Sequence, residues 1–369
     1  MISSIRIQGY RAFDRFEMSG LKRVNLLVGA NNSGKTSVLE AISLLVSRGE
    51  PASLWHLLSR RGERVDTVER GRERAVGMDV SHLFHGHDFQ MGSKFILTAS
   101  NENPERKVAF SVGEVKEHAP GMAREQVGVP GLALHITGNP PPPIPALPLT
   151  HSGGMYATDA LDSPRRIRRG RSSDSHENAT PVQFIASESI DGGELISLWD
   201  KVALTPNEER VVLALRFLDP GIERIAPQVG LQPFYMPRGG FIVKIKGREH
   251  PIPIGSMGDG IWRMMALAIA IAHCKGGILL VDEIDTGLHY TVLENMWRLI
   301  FGAAKELDVQ VFATTHSSDC IKSLANLCYA DTDVAANVTL QRIEIGRLKA
   351  VPYTATEIEV AAERQIEVR

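Results

Sequence analysis

Cysteine is scarce in this sequence: Cys274, Cys320 and Cys328 are the only three among 369 residues, an odd number with no CxxC pair. That argues against a disulfide framework and against a structural zinc site, and it suits a reducing compartment. Long apolar runs are missing too. The longest, Met264 to Cys274, reaches about half of the roughly 20 residues a membrane span needs. The opening MISSIRIQGYR has neither the apolar stretch nor the cleavage site of a signal peptide. A cytoplasmic protein without membrane contact is expected. Neither sign of charge is in excess, since 41 Lys and Arg stand against 43 Asp and Glu for a net charge of −2. Coating of nucleic acid by bulk charge is thereby disfavoured, although a local basic patch is not. No repeat of fixed period occurs, which disfavours solenoids and propellers. With 43% hydrophobic residues the composition is globular, enough for two domains or for one large domain with insertions.

The first 50 residues read as strand, turn and helix. Ile5, Ile7 and Phe13 sit in an alternating segment, and Val24 to Val28 is a short buried strand stopped by Gly29. From Lys35, residues Val38, Leu39, Ile42, Leu45 and Val46 share one helical face, with Gly49 and Pro51 as the stop. Phe95 to Thr98 and Val108 to Val112 read as strands. Within the Pro-rich segment Pro140 to Pro148, Pro140 to Pro143 reads as an extended connector, and Arg165 to Glu177 reads as an exposed polar loop. Thr205, Pro206 and Glu208 mark a capped helix start. The last third alternates: helix Ile261 to His273, strand Ile278 to Val281, helix Val292 to Glu306, strand Val309 to Thr314. Both strands are nearly continuous in apolar residues, as parallel strands covered on two faces are. The expected organisation is one α/β core in two parts, 1–50 and 251–369. Between them lie a β-rich lobe at 51–138, a Pro/Arg-rich flexible linker at 139–180 and a helical insertion at 181–250.

Gly29-Ala30-Asn31-Asn32-Ser33-Gly34-Lys35-Thr36 matches GxxxxGK[ST] between a strand and a helix, the context that motif requires. Its glycines let successive N–H groups wrap phosphates at a helix N-terminus. Lys35 then neutralises β and γ oxygens, and Thr36 offers a hydroxyl to Mg²⁺. ATP and Mg²⁺ are the expected ligands. The strand Ile278 to Val281 delivers Asp282 and Glu283 at its C-terminal edge, Asp282 suited to hold Mg²⁺ and Glu283 to polarise a water as general base. His316 ends the next strand, where a neutral imidazole could hydrogen-bond the γ-phosphate or the water. Gly255 to Gly260, with Ser256 and Gly258, precedes a helix about 220 residues after the phosphate loop, and reads either as an ordinary loop with a helix N-cap or as a second anion-binding device.

The order of the phosphate loop, Ser256-Met257-Gly258-Asp259, Val281 to Asp285 and Thr315-His316 resembles the ABC-type ATPases of the SMC, RecF and OLD group. Arg11-Ala12-Phe13, Gly255 to Gly260, Asp282 to His289 and Ala313 to Ser317 look closest to compact OLD-like ATPases of bacterial antiviral systems. The resemblance implies a P-loop NTPase of the ABC/SMC head type, with two heads sandwiching two ATP molecules. Ser256 and Gly258 would then meet the γ-phosphate held by a second copy. It implies an ATP-gated dimeric switch, with a separate effector such as a Toprim-type nuclease as partner. Two departures narrow it. There is no LSGGQ-like signature, and His289 stands where a transporter ATPase would have Asp, so transport is disfavoured. About 50 residues follow His316, too few for the Toprim module of full-length OLD proteins, so no intrinsic nuclease is expected and Asp331-Thr332-Asp333 is not read as one. No NKxD-like motif for reading a guanine base occurs. The competing readings are a RecF-like DNA-repair ATPase and an ATP-bound scaffold. Among weaker constellations, His82, His85, His87 and Asp88 could chelate a metal but read better as a polar loop. Arg165 to Arg171 could touch DNA or an acidic partner, and Gln90 could approach the Mg²⁺.

Overall fold

The computed structural model describes residues 1–67, 75–87, 89–100, 105–114, 132–150, 153–156, 180–187, 192–228 and 240–363. The chain opens with β1 (Ser4–Tyr10) and β2 (Phe13–Ser19), then β3 (Val24–Val28), α1 (Lys35–Val46) and α2 (Pro51–Arg60). Strands β4 (Arg64–Thr67), β5 (Ala75–Asp79), β6 (Lys94–Ser100), β7 (Arg106–Glu114), β8 (Leu132–Asn139), β9 (Ala146–Leu149) and β10 (Gly154–Tyr156) follow. Next come β11 (Val182–Ile185), α3 (Gly192–Trp199), α4 (Pro206–Arg216), β12 (Ile222–Pro227), β13 (Phe241–Ile245) and β14 (Ile252–Pro253). The last third contains α5 (Asp259–His273), β15 (Ile278–Val281), α6 (Leu293–Glu306), β16 (Gln310–Thr314) and α7 (Ser318–Ala330). It ends with α8 (Thr332–Asn337), β17 (Val338–Arg342), β18 (Val351–Tyr353) and α9 (Ala355–Glu363).

The functional edge belongs to a six-stranded sheet ordered β11-β15-β16-β3-β17-β18, parallel except for β18. All residues of β3, β15 and β16 are buried, including the polar Asn25, Gln310 and Thr314, as their nearly continuous apolar character foretold. One face carries α5, α6 and α7 in a core with Leu26, Leu279 and Val311. The other face carries α1, which is wedged between this sheet and a second, antiparallel one ordered β2-β1-β6-β7-β8-β9. Being covered on two sides explains why α1 buries Leu44 and Ala41 as well as its predicted stripe of Val38, Leu39, Ile42, Leu45 and Val46. At about 1.5–3 kcal/mol for each fully buried aliphatic side chain, this packing fixes the helix that follows the phosphate loop.

Two stretches depart from the sequence reading. The 139–180 stretch is not linker throughout: β8 and β9 pair antiparallel from Leu132↔Leu149 to His135↔Ala146, β9 is the outermost strand of its sheet, and Pro140 to Pro143 lie in the connection between the two. An edge strand tolerates Pro148, which has no N–H to give to a further neighbour. The 181–250 stretch, expected to be helical, supplies α3 and α4 but also β11 to the core sheet and the small sheet β12-β13-β14. Strands of four to six residues there are too short for a period to stand out. The Thr205 cap is formed, its hydroxyl accepting from Asn207 N–H at 3.2 Å while Glu208 accepts from Leu204 N–H. No helix among the described residues is long and apolar enough to cross a membrane.

Candidate nucleotide site

Residues 29–34 connect β3 to α1 at the C-terminal edge of the parallel sheet, where strand ends and helix N-termini converge. Gly29 cannot be replaced there, because a Cβ would lie 2.2 Å from the Ile343 carbonyl oxygen. Gly34 has φ 98°, and its Cβ would meet the Phe13 ring at 2.4 Å. Phe13 thus braces the loop from β2. Behind the helix, buried Glu40 forms an ion pair with Arg11, whose Nε lies 2.9 Å away, and accepts from Arg61 Nε at 2.7 Å, while Arg11 also pairs with Glu63. The Arg11-Ala12-Phe13 segment therefore holds the loop from two directions.

Ala30, Asn31 and Asn32 form the exposed tip, whereas Ser33 and Lys35 are buried. Lys35 Nζ donates to the carbonyls of Gly29 at 2.9 Å and Ala30 at 2.8 Å. Burial lowers its pKa, while Asp282 and Glu283 pull it back up. Ser33 Oγ is buried with no partner among the described residues. A cationic amine resting on its own loop and an unpaired hydroxyl beside it fit a phosphate ligand, whose oxygens both could take up.

The acids lie two strands away. Sheet order sets β16 between β3 and β15, so Thr314 at the end of β16 stands between the phosphate loop and Asp282-Glu283. Thr36 Oγ1 lies 3.0 and 3.2 Å from the two Asp282 carboxylate oxygens, and Thr314 Oγ1 donates to Asp282 Oδ1 at 2.6 Å. The same Thr314 hydroxyl accepts from Glu283 N–H at 2.8 Å. Glu283 has φ 47°, left-handed backbone that a non-glycine residue adopts only where its surroundings impose it. Its Oε2 accepts from Thr286 Oγ1 at 3.3 Å. Thr36 and Asp282 give a set of hard oxygen donors that suits Mg²⁺. His316 is half-buried in the same field: burial and then Lys35 lower its pKa, against the pull of Glu283, Asp282 and Asp285. It is therefore neutral at pH 7.

The structure thus brings Lys35, Thr36, Asp282, Glu283 and His316 to one edge. Ser256 and Gly258 stand elsewhere, exposed at the start of α5, where Gly258 has φ 93° and neighbouring Asp259 packs on Gly287. Sequence reasoning missed Thr314, which touches both acids, and Thr315, which donates to Asp285 at 2.6 Å. It also missed Arg263, a charged residue inside an apolar helix, where a partner should have been sought. Of the weaker constellations, His82 and His87 face each other at 3.0 Å and His85 Nδ1 lies 2.8 Å from the Arg11 carbonyl. No group of three or more possible metal ligands occurs among the described residues. Asp88 and Arg165 to Arg171 lie outside those residues. Gln90 is exposed in the turn before β6. Asp331 caps α8 by accepting from Asp333 and Val334 N–H.

The chain is similar to several known proteins. Residues 150–319 match the family model described as "AAA domain, putative AbiEii toxin, Type IV TA system", and residues 1–105 match "AAA ATPase domain". The "ATP/GTP phosphatase" of Helicobacter pylori is 22% identical over 352 residues, covering 88% of this chain and 87% of that protein. The "DNA double-strand break repair Rad50 ATPase" of Methanopyrus kandleri is 33% identical over 104 residues, 28% of this chain and 11% of that protein. Among solved structures, the Smc head bound to the C-terminal winged-helix domain of ScpA gives a TM-score of 0.49 at 16% identity, covering 96% of this chain and 97% of that one. The SMC head domain from Thermotoga maritima gives 0.43 at 13%, covering 96% and 98%.

Proposed function

We propose that this chain, an ATP-hydrolysing enzyme of the AAA type, works as an ATP-gated dimeric switch that controls a separate effector. One observation carries the reading: phosphate loop, paired acids and neutral histidine share the edge of three adjacent parallel strands, with Thr36 Oγ1 3.0 Å from Asp282. Gly29, Asn31, Asn32, Ser33, Gly34 and Lys35 bind the phosphates. Thr36 and Asp282 would hold Mg²⁺, which would supply positive charge to offset the charge that builds on the phosphate oxygens. Glu283 takes a proton from the water whose oxygen attacks the γ-phosphorus, as the bond to the bridging oxygen breaks and ADP leaves. His316, neutral, donates to or accepts from the reacting group and registers the γ-phosphate. Ser256 and Gly258, exposed at the start of α5, serve the γ-phosphate of a second copy, so that ATP binding and dimerisation are one event. A defence role fits the family model that covers residues 150–319, with a nuclease as the effector class.

The test is Glu283→Gln. Turnover should fall by about 100-fold or more, with ATP binding retained and an ATP-dependent dimer accumulating in light scattering. Unchanged turnover removes Glu283 from the role, and a variant that stays monomeric with ATP removes the switch. Duplex DNA in the same assay separates the readings. Stimulation favours the DNA-repair alternative. DNA-insensitive turnover favours a protein effector.

A further inference from the structure

Helix α5 is buried almost throughout, and one side chain breaks its apolar character. Arg263, 1% exposed, lies between Trp262 and Met264. Its guanidinium leaves the helix for the backbone of the sheet edge: Nη1 donates to the Ala186 carbonyl at 2.9 Å, and Nη2 to the carbonyls of Asp282 at 2.8 Å and Glu283 at 2.7 Å. Burial lowers its pKa to about 10, with Asp285, Asp282 and Glu283 pulling upward, so the cation persists at neutral pH. A charge placed on three carbonyl oxygens fixes main chain, and here it fixes the segment that contains the left-handed residue Glu283. From the other side Thr314 Oγ1 takes the Glu283 N–H. Both polar groups of that residue's backbone are thus held from outside the turn.

Helix α5 meets the same turn a second time. Gly260, three residues before Arg263, approaches Gly287 so closely that a Cβ would lie 3.2 Å from the Gly287 carbonyl oxygen. Gly287, with φ 77°, in turn packs tightly beside Asp259, whose Cβ would be 3.2 Å from an added one. The helix begins at Asp259, with Gly258 as its N-cap at the end of the Ser256–Gly258 loop, whose Ser256 and Gly258 are exposed. Loop, helix and acidic turn are one connected unit.

We propose that Arg263 is a positioning residue that holds the Asp282-Glu283 backbone so that the Glu283 carboxylate is aimed, and that ties this aim to the position of α5 and so to the Ser256–Gly258 loop. The inference rests on Glu283 being the general base. Engagement of the loop by a second copy then sets the base of the chain that carries the loop, and hydrolysis waits for the dimer. Lysine at this position keeps the buried charge but not the planar fork that reaches several carbonyls at once.

The experiment measures kcat, equilibrium binding of a fluorescent ATP analogue and Tm for Arg263→Lys, alone and combined with Glu283→Gln. Arg263→Lys should lower kcat about 10- to 50-fold while analogue affinity changes less than about threefold. Combined with Glu283→Gln it should lower the residual rate by less than about twofold, because a residue that acts through Glu283 has nothing left to aim. A full additional loss in the double variant, or kcat and affinity worsening together, overturns the proposal. Unchanged turnover of Glu283→Gln by itself refutes the base assignment instead, so the two failures are distinguishable. Should Arg263→Lys not fold, Gly260→Ala moves the same turn from its other contact. It should lower kcat about 3- to 10-fold with binding kept, and a parental kcat there overturns the coupling.

Discussion

Replacing Thr314 by valine keeps volume and β-branching in a fully buried strand position and removes one oxygen. That oxygen makes two bonds at the acid pair, a 2.6 Å bond to Asp282 and a 2.8 Å bond from Glu283 N–H. A hydrogen bond to a charged group is worth about 1.5–3 kcal/mol, and leaving a donor unpaired costs about 1–3 kcal/mol. The low end of the sum, about 2.5 kcal/mol, corresponds to about 70-fold in rate if all of it is lost at the transition state, since 1.36 kcal/mol is tenfold. Steady-state phosphate release by Thr314→Val should accordingly fall about 10- to 70-fold, with Lys35→Ala used to subtract contaminating activity. Affinity for a fluorescent ATP analogue should change less than about threefold, because both hydrogen bonds of the Thr314 hydroxyl go to the acid pair rather than to the phosphate loop. Thr314→Ser, which restores the oxygen, should recover most of the rate. A kcat within about twofold of the parent in a normally folded Thr314→Val would refute the idea that this hydroxyl holds the acids, and an affinity loss as large as the rate loss would reassign it to ligand binding.

His316 gives a pH prediction with a definite sign. Its folded pKa is depressed below 6.5, so it stays neutral where the unfolded chain begins to bind a proton. Its contribution to stability is full above that pH and is lost as pH falls through the lowered folded value. Urea midpoints taken between about pH 7.5 and about pH 5 should therefore decline less steeply for His316→Gln than for the parent, and parallel declines would exclude this origin. Gly34→Ala should lower affinity for the ATP analogue at least about tenfold, from its φ of 98° and the 2.4 Å approach to Phe13. Normal binding by that variant would mean the loop closes without the geometry described.

The phosphate loop was legible because everything it needs is local: a strand, two glycines, a lysine and a helix within 23 residues of Val24 to Val46. Asp282, Glu283 and His316 could be placed at strand ends by the same local logic. Thr314 could not. In sequence it is a β-branched residue in a strand, and its role follows from the parallel register that sets Thr314 beside Leu27 and Ala313 beside Val281. Only when β16 is known to lie between β3 and β15 does its hydroxyl fall between the two halves of the site. The β8–β9 hairpin was hidden for a different reason, since proline removes the local signals for a strand while an edge position supplies the tertiary excuse for it.

Arg263 marks the intermediate case. An arginine in an apolar helical run must either reach solvent or find oxygen, and the sequence posed that question without containing the answer. The answer depends on α5 packing across the ends of β11 and β15, where the Ala186, Asp282 and Glu283 carbonyls are not used by the sheet. A buried cation on carbonyls that neighbour a strained acid is a costly arrangement for stability alone, because an apolar residue would pack the same helix without desolvating a charge. The cost is explained if the bond is needed to keep Glu283 in a backbone conformation it would otherwise leave, and if α5 is the element through which a second copy reaches the base.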